Sequence, residues 1–434
     1  MKRLIIKLLM TVLLFLFIYN PPISFFPMNS GVLIGAFSLV LMASYIFKKL
    51  MFREAIVVNK KIAKVVLYAL GLSLYSLVIS IVFGSLDFQV FKSYLSFVLF
   101  YFPGAFFLIY LMNRFYTPEE FIKNLIFVMV IQSVIIVLML INASIKDLFF
   151  SLLRDGTARI EKNLASGGFR FLGFAYNSTW DLSVVQSIGV MLLAVLFKVD
   201  KNEINIKNVA YFILLCISIF LTARTGFLGI ILGLLIILIP NNLREVPFMR
   251  ITKFCGKIVL ICVPLFFVIL SLLPADTKEI LEKNVLPWAF EMFQNDNNGK
   301  LETASSNELK EMYFAPSLKT FLIGDGYYVS PYDNTRYYMD TDAGYMRHIL
   351  YYGIIGCLMV AVFYIMVFRQ MFKSSIYVFN RTTVTIFILF LCGYFFVSHI
   401  KGDLFLGADM PIKLLILLYA FIMTRESMIK RTAS

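Results

Sequence analysis

The chain has 434 residues, of which 60% are hydrophobic and 15% charged, and its mean hydropathy is +0.83. Soluble globular domains carry about 45–50% apolar and about 25% charged residues. No water-soluble fold hides this much apolar surface, which excludes soluble enzymes, nucleic-acid binders and secreted disulfide scaffolds. A formal charge of +14 would point to a polyanion partner in a soluble protein; in a membrane protein its distribution reports orientation instead.

A helix needs about 20 apolar residues to cross the hydrocarbon core. Helices are the default there, because irregular backbone in lipid leaves peptide groups unpaired. The sequence predicts twelve spans, with apolar cores at 5–19, 31–47, 65–83, 94–112, 125–141, 182–197, 209–221, 227–239, 258–273, 349–368, 384–397 and 414–423. The first follows Met1-Lys2-Arg3 but runs into Asn20-Pro21-Pro22 rather than a small-residue cleavage site, so it reads as a span and not a signal peptide.

Lys48, Lys49, Arg53, Lys60, Lys61 and Lys64 all lie between the second and third spans, whereas residues 20–30 carry no charge. With the amino terminus in the cytoplasm, cytoplasmic segments hold 24 Lys and Arg against 7 Asp and Glu, and the other side 16 against 19. The excess of cations inside therefore orients both termini toward the cytoplasm. The expected fold is an all-α polytopic membrane protein of about 12 transmembrane helices with two large extracytoplasmic loops. It divides into five helices (1–141), a first loop (142–179), four helices (180–273), a second loop (274–348) and three helices with a cytoplasmic tail (349–434). In the second loop, Asp276 with Glu279 and Ser305 with Glu308 match the capping-box pattern, and polar residues 290–306 read as a flexible stretch.

Three stretches carry candidate chemistry, all on the external side. Gly167-Gly168-Phe169-Arg170, with Arg154, Arg159 and Lys162 upstream, puts cations on an otherwise acidic face. Arginine's rigid fork matches phosphate oxygens; the alternative is a glycine-rich turn whose arginines pair with Asp155, Glu161 or Asp181. Thr222-Ala223-Arg224-Thr225-Gly226 splits an apolar run into two short spans. A charge near membrane depth marks a functional site by default, unless the side chain only snorkels to headgroups.

The third stretch runs from Gly324-Asp325-Gly326-Tyr327 through Asp333 to Thr341-Asp342-Ala343-Gly344-Tyr345-Met346-Arg347-His348. Asp342 is the expected N-cap of the tenth span, with Arg347 and His348 one to two turns in. Asp342 and His348 are the candidate proton acceptors beside a cation; otherwise Asp342 only caps the helix and pairs with Arg347. Gly324-Asp325-Gly326 lacks the strand and helix that a phosphate loop requires. His399, with Asp403 and Asp409, is set aside as a lone histidine at a helix end. With two histidines and no carboxylate–histidine cluster, a metal site is not expected; the five cysteines lack a CxxC pair and read as buried small hydrophobes.

Together, LTARTGFLGIILGLLI from Leu221, FRFLGFAYNS from Phe169 and GDGYY…TDAGYMRHILYYGIIG between Gly324 and Gly356 resemble the O-antigen polymerase (Wzy-type) and O-antigen ligase superfamily of bacterial inner-membrane proteins. The resemblance covers the whole chain through its span and loop layout. It implies transfer of undecaprenyl-diphosphate-linked glycan at the periplasmic face, with no cofactor, metal or nucleotide sugar, and it leaves room for a chain-length regulator. Ligases of this superfamily usually carry a His-Asn pair where this chain has Asp342-Ala343, with His348 displaced, which favours polymerase.

A diphosphate leaving group develops negative charge, and fixed guanidinium groups can stabilise it. Arg170, Arg224 and Arg347 are the expected diphosphate ligands, Asp342 and then His348 the expected base, and Tyr327, Tyr328, Tyr337 and Tyr338, with Tyr332, the expected sugar-stacking rings. Three rivals share the setting. A ligase has nearly the same architecture. A lipid-linked oligosaccharide flippase would keep short loops and line a cavity with charges. A twelve-span secondary transporter would place its long loop in the cytoplasm.

Overall fold

The computed structural model describes residues 2–55, 59–156, 172–175, 178–200, 203–239, 304–333, 335–378 and 380–433, with isolated positions between 256 and 287. Of the described residues, 78% are helical. Among the described residues there is no sheet, only the isolated bridges Ile23–Leu153 and Val329–Tyr337. In chain order the helices are α1 (Lys2–Tyr19), α2 (Ser30–Met51), α3 (Lys60–Val82), α4 (Gln89–Ser96), α5 (Phe102–Met112), α6 (Pro118–Ile141) and α7 (Ala143–Ser151). They continue as α8 (Thr179–Val199), α9 (Ile206–Thr222), α10 (Gly226–Leu238), α11 (Ala304–Glu311), α12 (Leu318–Ile323), α13 (Gly344–Ser374), α14 (Arg381–Ser398) and α15 (Asp409–Ala433). A π-helical turn, Phe97–Tyr101, joins α4 to α5.

Among the described residues, seven helical runs are long and apolar enough to cross a bilayer: α2, α3, Gln89–Met112, α6, α8, Gly344–Tyr377 and α14. The chain is therefore read as an α-helical membrane protein. These seven coincide with seven of the twelve predicted spans. The predicted cores at 209–221 and 227–239 fall on α9 and α10, which are shorter than a full crossing, and that at 258–273 lies outside the described residues. The start of the first predicted loop is itself a helix, α7, whose N-cap Asn142 accepts from the Ser144 and Ile145 amides. Ser305 lies inside α11 and not before it, so it is not the predicted N-cap, and residues 304–306 are helical rather than flexible; Asp276 lies outside the described residues.

The chain forms two compact units, one of Met1–Val32, Tyr110–Gly299 and Val378–Phe390, the other of Leu33–Ile109, Lys300–Tyr377 and Leu391–Ser434. In the first, α8 is buried along its length. Gly226, Gly229 and Gly233 bring α10 so close to Ser183, Ser187 and Val190 of α8 that a Cβ at any of the three would overlap them. Small residues make such close helix contacts possible where apolar lipid supplies no hydrophobic drive. The break between α9 and α10 falls at Ala223–Thr225, as the sequence predicts. The break is tied to α8 by two hydrogen bonds: Ser183 Oγ donates to Ala223 O (2.8 Å) and Ser187 Oγ to Gly226 O (3.0 Å).

In the second unit, α13 is kinked at Gly353 (φ 71°, ψ 179°), a region of backbone space open to glycine alone. Gly324, at φ 77° and ψ −178°, lies against it. The kink frees two helix carbonyls, and the loop satisfies both: Asp325 N donates to Leu350 O (2.7 Å) and Gly326 N to Tyr351 O (3.2 Å). This pairing gives a physical reason for the first glycine of each of GDGYY and YYGIIG, Gly324 and Gly353. A Cβ at Gly353 would strike the backbone of Leu322 and Ile323, and one at Gly324 the backbone of Tyr351 and Gly353.

Alanine at Gly353 or Gly324 is expected to cost about 1–3 kcal/mol or more in stability. Alanine at Gly71 or Gly393, where nothing lies within 4 Å of the new Cβ, should be neutral or slightly stabilising. Thermal unfolding of the four variants in detergent checks the contrast.

Candidate functional site

The site is assembled in the second unit by three segments: the loop after α12, the first turns of α13, and the connection between α14 and α15. The loop doubles back as a short hairpin, with Ser330 N donating to Arg336 O (3.0 Å) and Tyr338 N to Tyr328 O (3.3 Å). Its entry is fixed by Asp87, whose Oδ2 accepts from the Tyr328 and Val329 amides at 2.7 and 2.8 Å. An apolar contact of Leu309, Met312 and Phe314, from α11 and the segment after it, and of Tyr338 from the loop with Ala343, Met346 and Leu350 docks both on the start of α13.

Arg347 sits where these segments meet and is buried. Its guanidinium carbon lies 3.8 Å from the ring centre of Tyr328 and 3.5 Å from that of Tyr337. A cation–π contact contributes about 2 kcal/mol when desolvated, as at Tyr328, and about 0.5–1 kcal/mol at an exposed ring such as Tyr337, and the two rings together hold the guanidinium plane in one orientation. Its Nε and Nη2 are buried and have no hydrogen-bond partner.

Beside it lies a cluster that the sequence analysis did not expect. His348, His399 and Asp403 are all buried, at 2%, 0% and 4% exposure. Asp403 Oδ1 accepts from His348 Nε2 (3.0 Å) and from the amides of Phe405 (3.1 Å) and Leu406 (3.0 Å), while Oδ2 accepts from the Tyr328 hydroxyl (2.6 Å). His399 stacks on Phe405, ring centres 3.9 Å apart, and its Nδ1 accepts from the Leu404 amide (3.1 Å). Gly344 permits this closeness, because a Cβ there would overlap the backbone and ring of His399.

The charges follow from burial and neighbours. Burial pushes the Asp403 carboxyl up, but the attraction of His348 whenever that ring is protonated, the hydrogen bond from His348 and the attraction of Arg347 hold it well below the usual carboxylate range. Burial raises the Tyr328 phenol well above its ordinary value, which keeps the hydroxyl protonated as a donor. Burial lowers His399 to about 3, with repulsion from His348 whenever that ring is protonated, against the attraction of Asp403. His399 is therefore neutral, and with Nδ1 accepting, its proton is on Nε2.

Donor atoms of His348, His399 and Asp403 lie within 4.8 Å of one another, the one such group among the described residues that could hold a metal ion. Both Asp403 oxygens and His399 Nδ1 are already engaged by N–H and O–H donors, and Arg347 adds positive charge beside them. The arrangement fits a hydrogen-bonded relay better than a cation site.

The predicted residues divide as follows. Tyr328, Tyr337, Arg347 and His348 come together. Tyr327 and Tyr338 stack on each other at 5.2 Å between ring centres, and Tyr332 is 97% exposed. Asp342 is not the N-cap of α13; that position is Ala343, without a side-chain hydrogen bond. Asp342 lies one residue outside and is exposed. Partial desolvation and Glu308 raise its carboxyl, opposed by Arg347 and Lys401. Arg224 is half-buried on the α9–α10 turn of the first unit, and Arg170 lies outside the described residues. Cys357 is buried, while Cys216 and Cys392 are half-buried. Asp87, His399 and Asp403 were not predicted. The signal for the last two was the four-residue spacing of two polar groups just past an apolar helix. No protein-family model matches the chain, and no curated protein matches it.

An unfolded histidine gains a proton below about pH 6.5, whereas folded His399 stays neutral down to about 3. The unfolded state then binds more protons, so stability falls as pH drops through this window, by at most about 1.4 kcal/mol per pH unit. The melting temperature in detergent should decline from about pH 7 to about pH 5, and less steeply in His399→Gln.

Proposed function

We propose that this chain is a surface-polysaccharide polymerase of the bacterial inner membrane. It joins undecaprenyl-diphosphate-linked oligosaccharide repeat units by glycosyl transfer at the periplasmic face, with both termini in the cytoplasm. The observation that carries the reading is Arg347. The Nε and Nη2 edge of a guanidinium is the fork that grips two oxygens of one phosphate. Here that edge is buried and unpartnered, which costs stability until an oxyanion completes it.

A lipid-linked glycan supplies that oxyanion at the membrane surface. The acceptor hydroxyl attacks the anomeric carbon, the bond to the diphosphate oxygen breaks, and negative charge grows on the leaving diphosphate. A preorganised guanidinium in a water-poor site stabilises that charge without reorganising. Arg224 and Arg170 are the further proposed diphosphate ligands. The stacked Tyr327–Tyr338 pair offers ring faces to a sugar. A chain-length regulator is the proposed protein partner.

Deleting the gene should reduce the host's surface glycan from a full ladder on a banding gel to core plus one repeat, and complementation should restore it. An unchanged ladder contradicts polymerisation, and loss of even the single-repeat band points to flippase or ligase. Arg347→Ala should slow elongation by about 10²–10³-fold at normal membrane levels. Arg347→Lys should recover little of it, since an ammonium lacks the fork.

A further inference from the structure

We infer that His348 is the proton acceptor of this transfer and that Asp403 is the positioning residue that makes it one; the inference rests on the polymerase reading above. The Asp403 carboxylate is anchored independently of His348, by the Phe405 and Leu406 amides on Oδ1 and the Tyr328 hydroxyl on Oδ2. The atom of His348 that faces this carboxylate, Nε2 at 3.0 Å, therefore carries the ring proton. Nδ1 is left with its lone pair, buried and without a partner. A carboxylate that fixes the tautomer of an imidazole and stabilises the imidazolium formed later is the arrangement that makes histidine a general base.

The other two candidates are built differently. His399 has Nδ1 occupied by the Leu404 amide, so its remaining nitrogen is a donor. Asp342 is exposed, and no neighbouring group orients its carboxylate by a hydrogen bond. His348 also follows Arg347 directly in α13, which places base and anion fork on one rigid turn. In the transfer, the acceptor hydroxyl oxygen bonds to the anomeric carbon. The carbon–oxygen bond to the diphosphate breaks with its electron pair on the diphosphate, and the hydroxyl proton passes to His348 Nδ1. The unpaired Nδ1 costs stability in the free chain and gains its partner when that hydroxyl donates to it.

The chain has only two histidines, so nitrogen-15 NMR of histidine-labelled protein in detergent reads both rings, and His399→Gln assigns them. His348 is expected to be protonated at Nε2 and bare at Nδ1 in the wild type, and to lose that single tautomer in Asp403→Asn. The kinetic probe is the lipid-linked glycan extracted from cells lacking the gene. With it, His348→Gln and Asp403→Asn should lower kcat by about 10²–10⁴-fold and leave KM within a few-fold, and Asp403→Glu should recover part of the loss.

His348 protonated at Nδ1 in the wild type overturns the inference, and that spectrum needs no variant to fold. His348→Gln turning over at the wild-type rate, with Asp342→Asn inactive, overturns it as well. Wild-type protein that forms no glycosidic bond from this glycan overturns the polymerase reading and the inference with it. That outcome is distinguishable from an active wild type with an active His348→Gln.

Discussion

A single buried carboxylate organises the second unit. Taking the Asp403 charge out of water costs several kcal/mol unless its oxygens are fully paired, and the structure pairs them four times. Each pairing recruits a different part of the chain: the hairpin through Tyr328, α13 through His348, and the α14–α15 connection through its own amides. Tyr328 is consequently pinned at both ends, its amide by Asp87 and its hydroxyl by Asp403. A ring held in that way has one face to offer Arg347, and Tyr337 closes the other. The orientation of the guanidinium is thus set by carboxylates that do not pair with it directly.

Leaving Arg347 unpaired by a carboxylate matters chemically. A salt-bridged arginine has spent its fork, whereas one held by aromatic faces is charged, fixed and still able to bind two oxygens. The first unit solves a related problem with different means. There serines on α8 donate to peptide carbonyls on either side of the interruption before α10, which ties the broken segment down in an apolar setting. Close glycine packing lets those serines reach. Arg224 is carried on that turn, so both units present an arginine where helix regularity stops.

Much of this architecture was legible in the sequence. Apolar runs located the helices, because crossing a bilayer demands length and hydropathy together. The break at Ala223–Thr225 showed as a polar insertion in an apolar run, and the tyrosine-rich loop with Arg347 and His348 was singled out by its chemistry. What failed depended on partners distant in sequence. His348 and Asp403 are 55 residues apart, and nothing local to His399 says that another helix start will reach it. Asp342 was chosen as a cap from its residue type, yet the helix begins one residue later, at a position whose alanine lets α13 pack on the loop. Asp87 carries no local signal, since its role lies in the backbone of a loop more than two hundred residues away.

Glycosyl transfer between two carrier-linked repeat units would leave a lengthened glycan on one carrier and release the other, an outcome that neither transport nor ligation to another acceptor gives. The most direct measurement places the purified chain in proteoliposomes with the lipid-linked repeat unit extracted from cells lacking the gene, and follows lipids and glycans by mass spectrometry. Polymerisation predicts two-repeat and longer glycans that remain on the carrier, with one undecaprenyl diphosphate released for each new glycosidic bond. Recovery of the single-repeat lipid unchanged, or moved between leaflets without bond formation, would contradict it.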